Sequence, residues 1–129
     1  MHRFSVLLVD DAPLTCKLAA RWLDEHHTAC VHTGADAMHA LSRLHFDIVV
    51  SNTVLPDLDG FAMLRRVRES QPWVRIVAMT GRGESRSAFE CGLQARECGA
   101  DEVLLKPFGA EQLHTAVKNA TALRALHLN

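Results

Sequence analysis

The chain has 129 residues, nearly half of them apolar, with 14 Lys and Arg against 15 Asp and Glu. That is one domain of common size with enough apolar material for a real core. The near-zero net charge excludes a whole-surface nucleic-acid binder, and no run of about 18 apolar residues exists to span a membrane.

Residues 4–9, apolar except for Ser5, run up to Asp10 and Asp11, the pattern of a buried strand. Pro13 suits the first turn of a helix, and Thr15, Leu18, Ala19 and Trp22 repeat at helical spacing to about Glu25. Residues 28–32 read as a second, weaker strand. Thr33 is a candidate N-cap for a helix with Ala37, Ala40, Leu41 and Leu44 on one face. Residues 46–51 form the third strand, whose β-branched Ile48, Val49 and Val50 suit burial on both faces of a parallel sheet. Asn52 stands at its end. Residues 60–70 are a helix with Phe61, Leu64 and Val67 inward, closed by Pro72. Residues 74–79 are the fourth strand, stopped by Thr80-Gly81-Arg82-Gly83. A helix follows and ends at Gly99, a natural C′ residue. Residues 102–105 are a short fifth strand, and Lys106–Pro107 closes it. The last helix runs from Gly109 to about Ala125, with Leu113, Ala116, Val117 and Ala120 inward.

Five strands alternating with five helices imply an α/β fold with a parallel sheet covered on both faces. Right-handed crossovers favour a doubly wound, flavodoxin-like (βα)5 sheet of order 2-1-3-4-5. No linker, repeat or low-complexity segment divides the chain. The N-terminus lacks the length and cleavage site of a signal peptide. Cys16, Cys30, Cys91 and Cys98 contain no CxxC pair, so reduced thiols in a cytoplasmic protein are expected. His26–His27 reads as a polar helix terminus rather than a metal site.

Ligands of such a sheet bind outside the carboxyl ends of its strands. There the first strand supplies Asp10 and Asp11, the third Asn52, the fourth Thr80 and the fifth Lys106. Two adjacent carboxylates near a carbonyl oxygen suit a hard cation such as Mg2+. A Thr and a Lys beside them suit an anion, typically phosphate. Each residue alone fits a solvated loop better than a site; five at matching strand ends do not.

VLLVDD at residues 6–11, LPDLDG at 55–60, the strand-end Thr80 and GADEVLLKPF at 99–108 resemble the receiver domain of two-component response regulators. The likeness covers essentially the whole chain, as one receiver domain over residues 1–129. It implies Mg2+ at Asp10 and Asp11, phosphoryl contacts from Thr80 and Lys106, and a cis Lys106–Pro107 bond. It also implies a phosphoacceptor Asp four residues before Pro56, and there the chain has Asn52. An amide oxygen is a weak nucleophile, so phosphorylation here is expected to fail and Mg2+ to bind more weakly. Natural degeneracy and an engineered Asp→Asn change both remain open. The family's aromatic rotamer switch falls on Val103, which is too short to swing. The segment between Thr80 and Lys106 looks about one helical turn longer than is typical of the family, which implies a long fourth helix. Within it Ala88, Cys91, Gly92, Ala95 and Cys98 form a small-residue face that should lie close to the sheet. Phe89 and Leu93 fall beside it, either filling a gap or exposed for a partner.

Three functions compete. One is a degenerate receiver, a non-enzymatic signalling module that binds a histidine kinase, another receiver or itself, through Phe89, Leu93 and Val103. Another is an ordinary phosphoacceptor receiver carrying an Asp→Asn change, or one using Ser51, Thr53, Asp57 or Asp59. The third is a small flavin or phosphate-ester enzyme. It needs a Gly, Ser and Thr-rich loop after the first strand, where this chain has Asp-Asp-Ala-Pro, which repels phosphate unless a cation intervenes.

Overall fold

The structure is a computed structural model that describes residues 3–81 and 87–127, the side chains of residues 123–127 excepted. Its elements run β1 (Ser5–Val9), α1 (Pro13–Trp22), β2 (His27–Val31), α2 (Gly34–Arg43), β3 (Ile48–Asn52), α3 (Gly60–Ser70), β4 (Arg75–Thr80), α4 (Ala88–Glu97), β5 (Glu102–Leu105) and α5 (Ala110–His127). All strand pairs are parallel, in the order β2-β1-β3-β4-β5. The alternating pattern of strands and helices therefore gives the flavodoxin-like doubly wound sheet expected of it.

Side-chain alternation divides the core between the two faces of the sheet. Leu7, Val9, Val49, Ile76 and Ala78 pack with α2, α3 and α4, together with Leu41, Leu64, Val67 and Ala95. Val6, Leu8, Ile48, Val50, Val77 and Met79 pack with α1 and α5, together with Ala19, Leu23, Leu113 and Ala120. The strands are apolar on both sides because both sides are covered.

The caps explain the helix limits. Thr33 accepts from the Asp36 N–H at the start of α2, and Asp59 accepts from the Phe61 N–H at the start of α3. At the end of α4, Gly99 has φ +107, Gly99 N–H donates to Arg96 O, and Ala100 N–H donates to Ala95 O. That pair of bonds is a Schellman closure, with glycine in the left-handed position.

Four expectations need correction. First, α1 ends at Trp22 rather than near Glu25, because Leu23 turns into the core and His26 N–H closes a turn onto its carbonyl. Second, its buried face is Cys16, Ala19 and Leu23; Leu18 is exposed, and Thr15 and Trp22 are half-buried. Third, α4 has ten residues, no more than α1 or α2. Residues 81–87 stand between β4 and α4, and of these 82–86 lie outside the described residues. Fourth, Leu44, expected inward, caps α2 and is exposed.

Candidate functional site

The doubly wound sheet sends the carboxyl ends of β1, β3, β4 and β5 to one edge. Asp10 follows β1 and is almost fully buried, whereas Asp11 beside it is exposed. Asn52 ends β3, Thr80 ends β4, and Lys106 follows β5, its N–H donating to Thr80 O at 2.7 Å. All five residues singled out from the sequence are therefore at the same end of the sheet.

Their pairings give the pocket its chemistry. Lys106 Nζ donates to Asp10 Oδ2 at 2.6 Å, and the Ala12 N–H donates to Asp10 Oδ1 at 2.9 Å. A buried carboxylate needs such partners, because an unpaired charge in the interior is costly. Asn52 Nδ2 donates to Val54 O at 3.0 Å and to Asp11 Oδ1 at 3.5 Å. Thr80 is fully buried, and its Oγ1 has no hydrogen-bond partner among the described residues. A buried hydroxyl without a partner is an exception that calls for an explanation, such as a water or a ligand oxygen. The Lys106–Pro107 peptide is cis.

The neighbouring candidates have other duties. Ser51 points to the opposite face of the sheet from Asn52, and its Oγ donates to Asn52 O at 3.0 Å. Asp57 lies across the loop at the start of α2, where the Gly34 and Ala35 N–H groups donate to its carboxylate at 2.8 and 2.9 Å. Those N–H groups, Ala35 foremost, hold its pKa below the usual carboxylate range. Asp59 caps α3. Gly60 must be glycine here, since a Cβ would lie 2.3 Å from Thr53 O.

Sequence reasoning missed two participants. Val54 contributes a backbone carbonyl, which carries no side-chain signature; its place two residues after Asn52 was the only clue. His32 follows β2, and its Nδ1–H donates to Asp10 O at 2.9 Å. Strand-end position pointed to it as it did to the others. Cys16 Sγ also reaches Asp10 O, at 3.7 Å. Burial, then the adjacent Cys30 thiol, pushes the Cys16 pKa up to about 12. No disulfide joins Cys16, Cys30, Cys91 or Cys98.

The donor set does not fit a magnesium ion as it stands. Among the described residues no three His, Cys, Asp or Glu side chains gather as a metal cluster. Asp10 already holds an ammonium, and Asn52 turns an NH2 group towards Asp11 and Val54 O. A hard cation needs free anionic or carbonyl oxygens at that place.

The fold and this edge define a doubly wound α/β domain whose acids and lysine gather at the carboxyl ends of the strands. The family model described as response regulator receiver domain matches residues 6–118. The chain belongs to that family and is a receiver domain of two-component signalling. It is similar to the transcriptional regulatory protein TcrA of Mycobacterium tuberculosis, at 34% identity over 88% of this chain and 44% of that protein. It is 28% identical to the regulatory protein AtoC of Escherichia coli, over 94% of this chain and 26% of that protein. The chain thus spans less than half the length of these relatives. The crystal structure of NtrX from Brucella abortus superposes with a TM-score of 0.88 at 25% identity, over 98% of this chain and 28% of that one. Receiver domains are signalling modules that contact histidine kinases and other proteins. Among the described residues no helix is long and apolar enough to cross a membrane.

Proposed function

We propose that this chain is a degenerate receiver, a non-enzymatic cytoplasmic module that regulates through protein contact without phosphorylation of an aspartate. One observation carries the reading: the residue four before Pro56, where the family places its nucleophilic carboxylate, is Asn52. A neutral amide neither attacks phosphorus effectively nor leaves a stable acyl phosphate. The substitutes are unfavourable as well. Ser51 faces away, and Asp57 and Asp59 are tied to helix N-termini.

Mg2+ would bind through Asp10 and Asp11 only by displacing Lys106 from Asp10, and so more weakly than in a receiver with a carboxylate at position 52. Thr80 and Lys106 keep the positions from which a receiver contacts a phosphoryl group, which also suits the second reading, an ordinary receiver carrying an Asp→Asn change. The partner, a histidine kinase, another receiver or a second copy, is assigned to the surface of α4 and β5. Phe89 and Leu93 are exposed there, and Val103 packs beneath α4 near Gly92.

Intact mass after incubation with acetyl phosphate and Mg2+ tests the proposal. The expected outcome is no stable gain of a phosphoryl group by this chain, and a gain by Asn52→Asp. A phosphoryl group mapped to residues 51–59 of the unaltered chain would overturn it.

A further inference from the structure

Asn52 does more than remove a nucleophile, an inference that rests on the reading of this chain as a degenerate receiver. The two acceptors facing Asn52 are the Val54 carbonyl at 3.0 Å and the Asp11 carboxylate at 3.5 Å. Neither can donate when Asp11 is ionised, so the amide must present its NH2 to them; a flipped amide would set oxygen against two oxygens. A carboxylate and a backbone carbonyl converging on one point are also hard-cation ligands. The amide NH2 therefore lies where a cation would draw those oxygens together. A carboxylate at position 52 would face both acceptors with no proton to share, and would need a cation between them.

The other acid is satisfied in the same fashion. Asp10, 1% exposed, holds the Lys106 ammonium at 2.6 Å and the Ala12 N–H at 2.9 Å. The Val54 carbonyl belongs to the loop that an isolated bridge between Val54 and Asp59 closes. The Asn52–Val54 bond thus links the end of β3 to the loop leading into α3.

We propose that the Asn52 amide and the Lys106 ammonium together take the place of a divalent cation, so that this pocket and the loop of residues 53–59 hold their arrangement independently of Mg2+. Lys106 offsets the charge of Asp10, the amide N–H bridges the exposed Asp11 and the Val54 carbonyl without adding charge, and changes in Mg2+ leave the surface unaltered.

Thermal unfolding of the full chain, with millimolar Mg2+ or with NaCl of matched ionic strength, tests this beside Asn52→Asp. The unaltered chain is expected to unfold at the same temperature in both. Asn52→Asp should unfold several degrees lower without Mg2+ and recover with it, because a ligand that binds only the folded state stabilises it. Mn2+ should broaden the amide signals of Asp11 and Val54 at concentrations at least about tenfold lower in Asn52→Asp than in the unaltered chain. If Mg2+ raises the unfolding temperature of the unaltered chain as much as that of Asn52→Asp, the proposal is wrong. Should Asn52→Asp fail to fold even with Mg2+, Lys106→Met in the otherwise unaltered chain decides. Freeing Asp10 should then lower the Mn2+ concentration needed for broadening, and no change would overturn the proposal. Phosphoryl uptake by the unaltered chain would remove the degenerate-receiver reading but leave this result standing. Mg2+ stabilisation of the unaltered chain would do the reverse.

Discussion

Single residues at the rim divide between chemistry and scaffolding, and charge alone does not sort them. Asp57 stands in the LPDLDG stretch, as a candidate acceptor would, but its carboxylate takes two N–H bonds from the N-terminus of α2. A helix N-terminus favours an anion there, which is why the pKa is lowered. The depressed pKa sets the sign of the pH effect. A carboxyl whose folded pKa is depressed contributes its stability in full above the unfolded value of about 3.9, and loses it as pH falls through the folded value. Asp57→Asn should therefore be less stable than the unaltered chain at neutral pH, and the difference should close below about pH 4. Urea titrations across the acid range would show it; parallel curves at every pH would mean that the bond to α2 is not formed in solution. The sequence made Asp10, Asp11, Asn52, Thr80 and Lys106 legible, because strand-end position is a property of local pattern. It did not tell which acid Lys106 would choose. Lys106 pairs with Asp10, the buried one, because burial makes the need for a counter-charge larger there.

At the scale of an element, α4 behaves as its composition implies. Cys91, Ala95 and Cys98 are buried, and Gly92 faces Val103, where an added Cβ would sit at ordinary contact distance, 3.7 Å from its Cγ1. Small residues on the packing face leave the large ones outside: Phe89 is 74% exposed and Leu93 48%. Burying such side chains is worth about 1.5–3 kcal/mol each, an advantage this fold does not take. Replacing both by Ser should leave stability within about 1 kcal/mol and weaken association, read by sedimentation. A cost of several kcal/mol would place the pair in the core. Gly99→Ala, at the end of the same helix, should instead cost about 1–3 kcal/mol in urea unfolding, since φ is +107 and the new Cβ would meet Arg68. Helix α1 was less legible than α4. Thr15, Leu18 and Trp22 have helical spacing but flank a groove with Lys106, Pro107 and Phe108, while the smaller Cys16 and Ala19 take the core face. Periodicity fixes that a face is apolar. It cannot choose between two adjacent faces when both carry apolar residues, and the buried Leu23 beyond the last turn decides the matter here.

Across the whole molecule, the two ends of the sheet have different tasks. The carboxyl ends hold the pocket. The opposite end is tied by Arg68, which donates to Gly99 O at 3.1 and 2.8 Å, to Pro72 O at 3.0 Å and to Val74 O at 2.6 Å. Its Nη2 also bonds Asp101 Oδ2 at 2.8 Å, and that oxygen accepts from the Ile76 N–H at 2.8 Å. One guanidinium thus joins the last turns of α3, the entry to β4 and the turn between α4 and β5. Both side chains are mostly buried, at 20% and 13% exposed. The planar fork matters because several carbonyls must be reached at once, and a lysine offers a single point of charge. Arg68→Ala leaves Asp101 and at least two carbonyls short of a donor, so it should destabilise the chain by about 3 kcal/mol. Arg68→Lys should recover less than half of that. Because the clamp lies at the far end from Asp10 and Lys106, the amide signals of Asp11 and Val54 should stay in place in whatever fraction remains folded. Urea midpoints give the first result and amide chemical shifts the second. A shifted pocket in folded Arg68→Lys would show that the two ends are coupled, and that this clamp helps to set the surface presented to a partner.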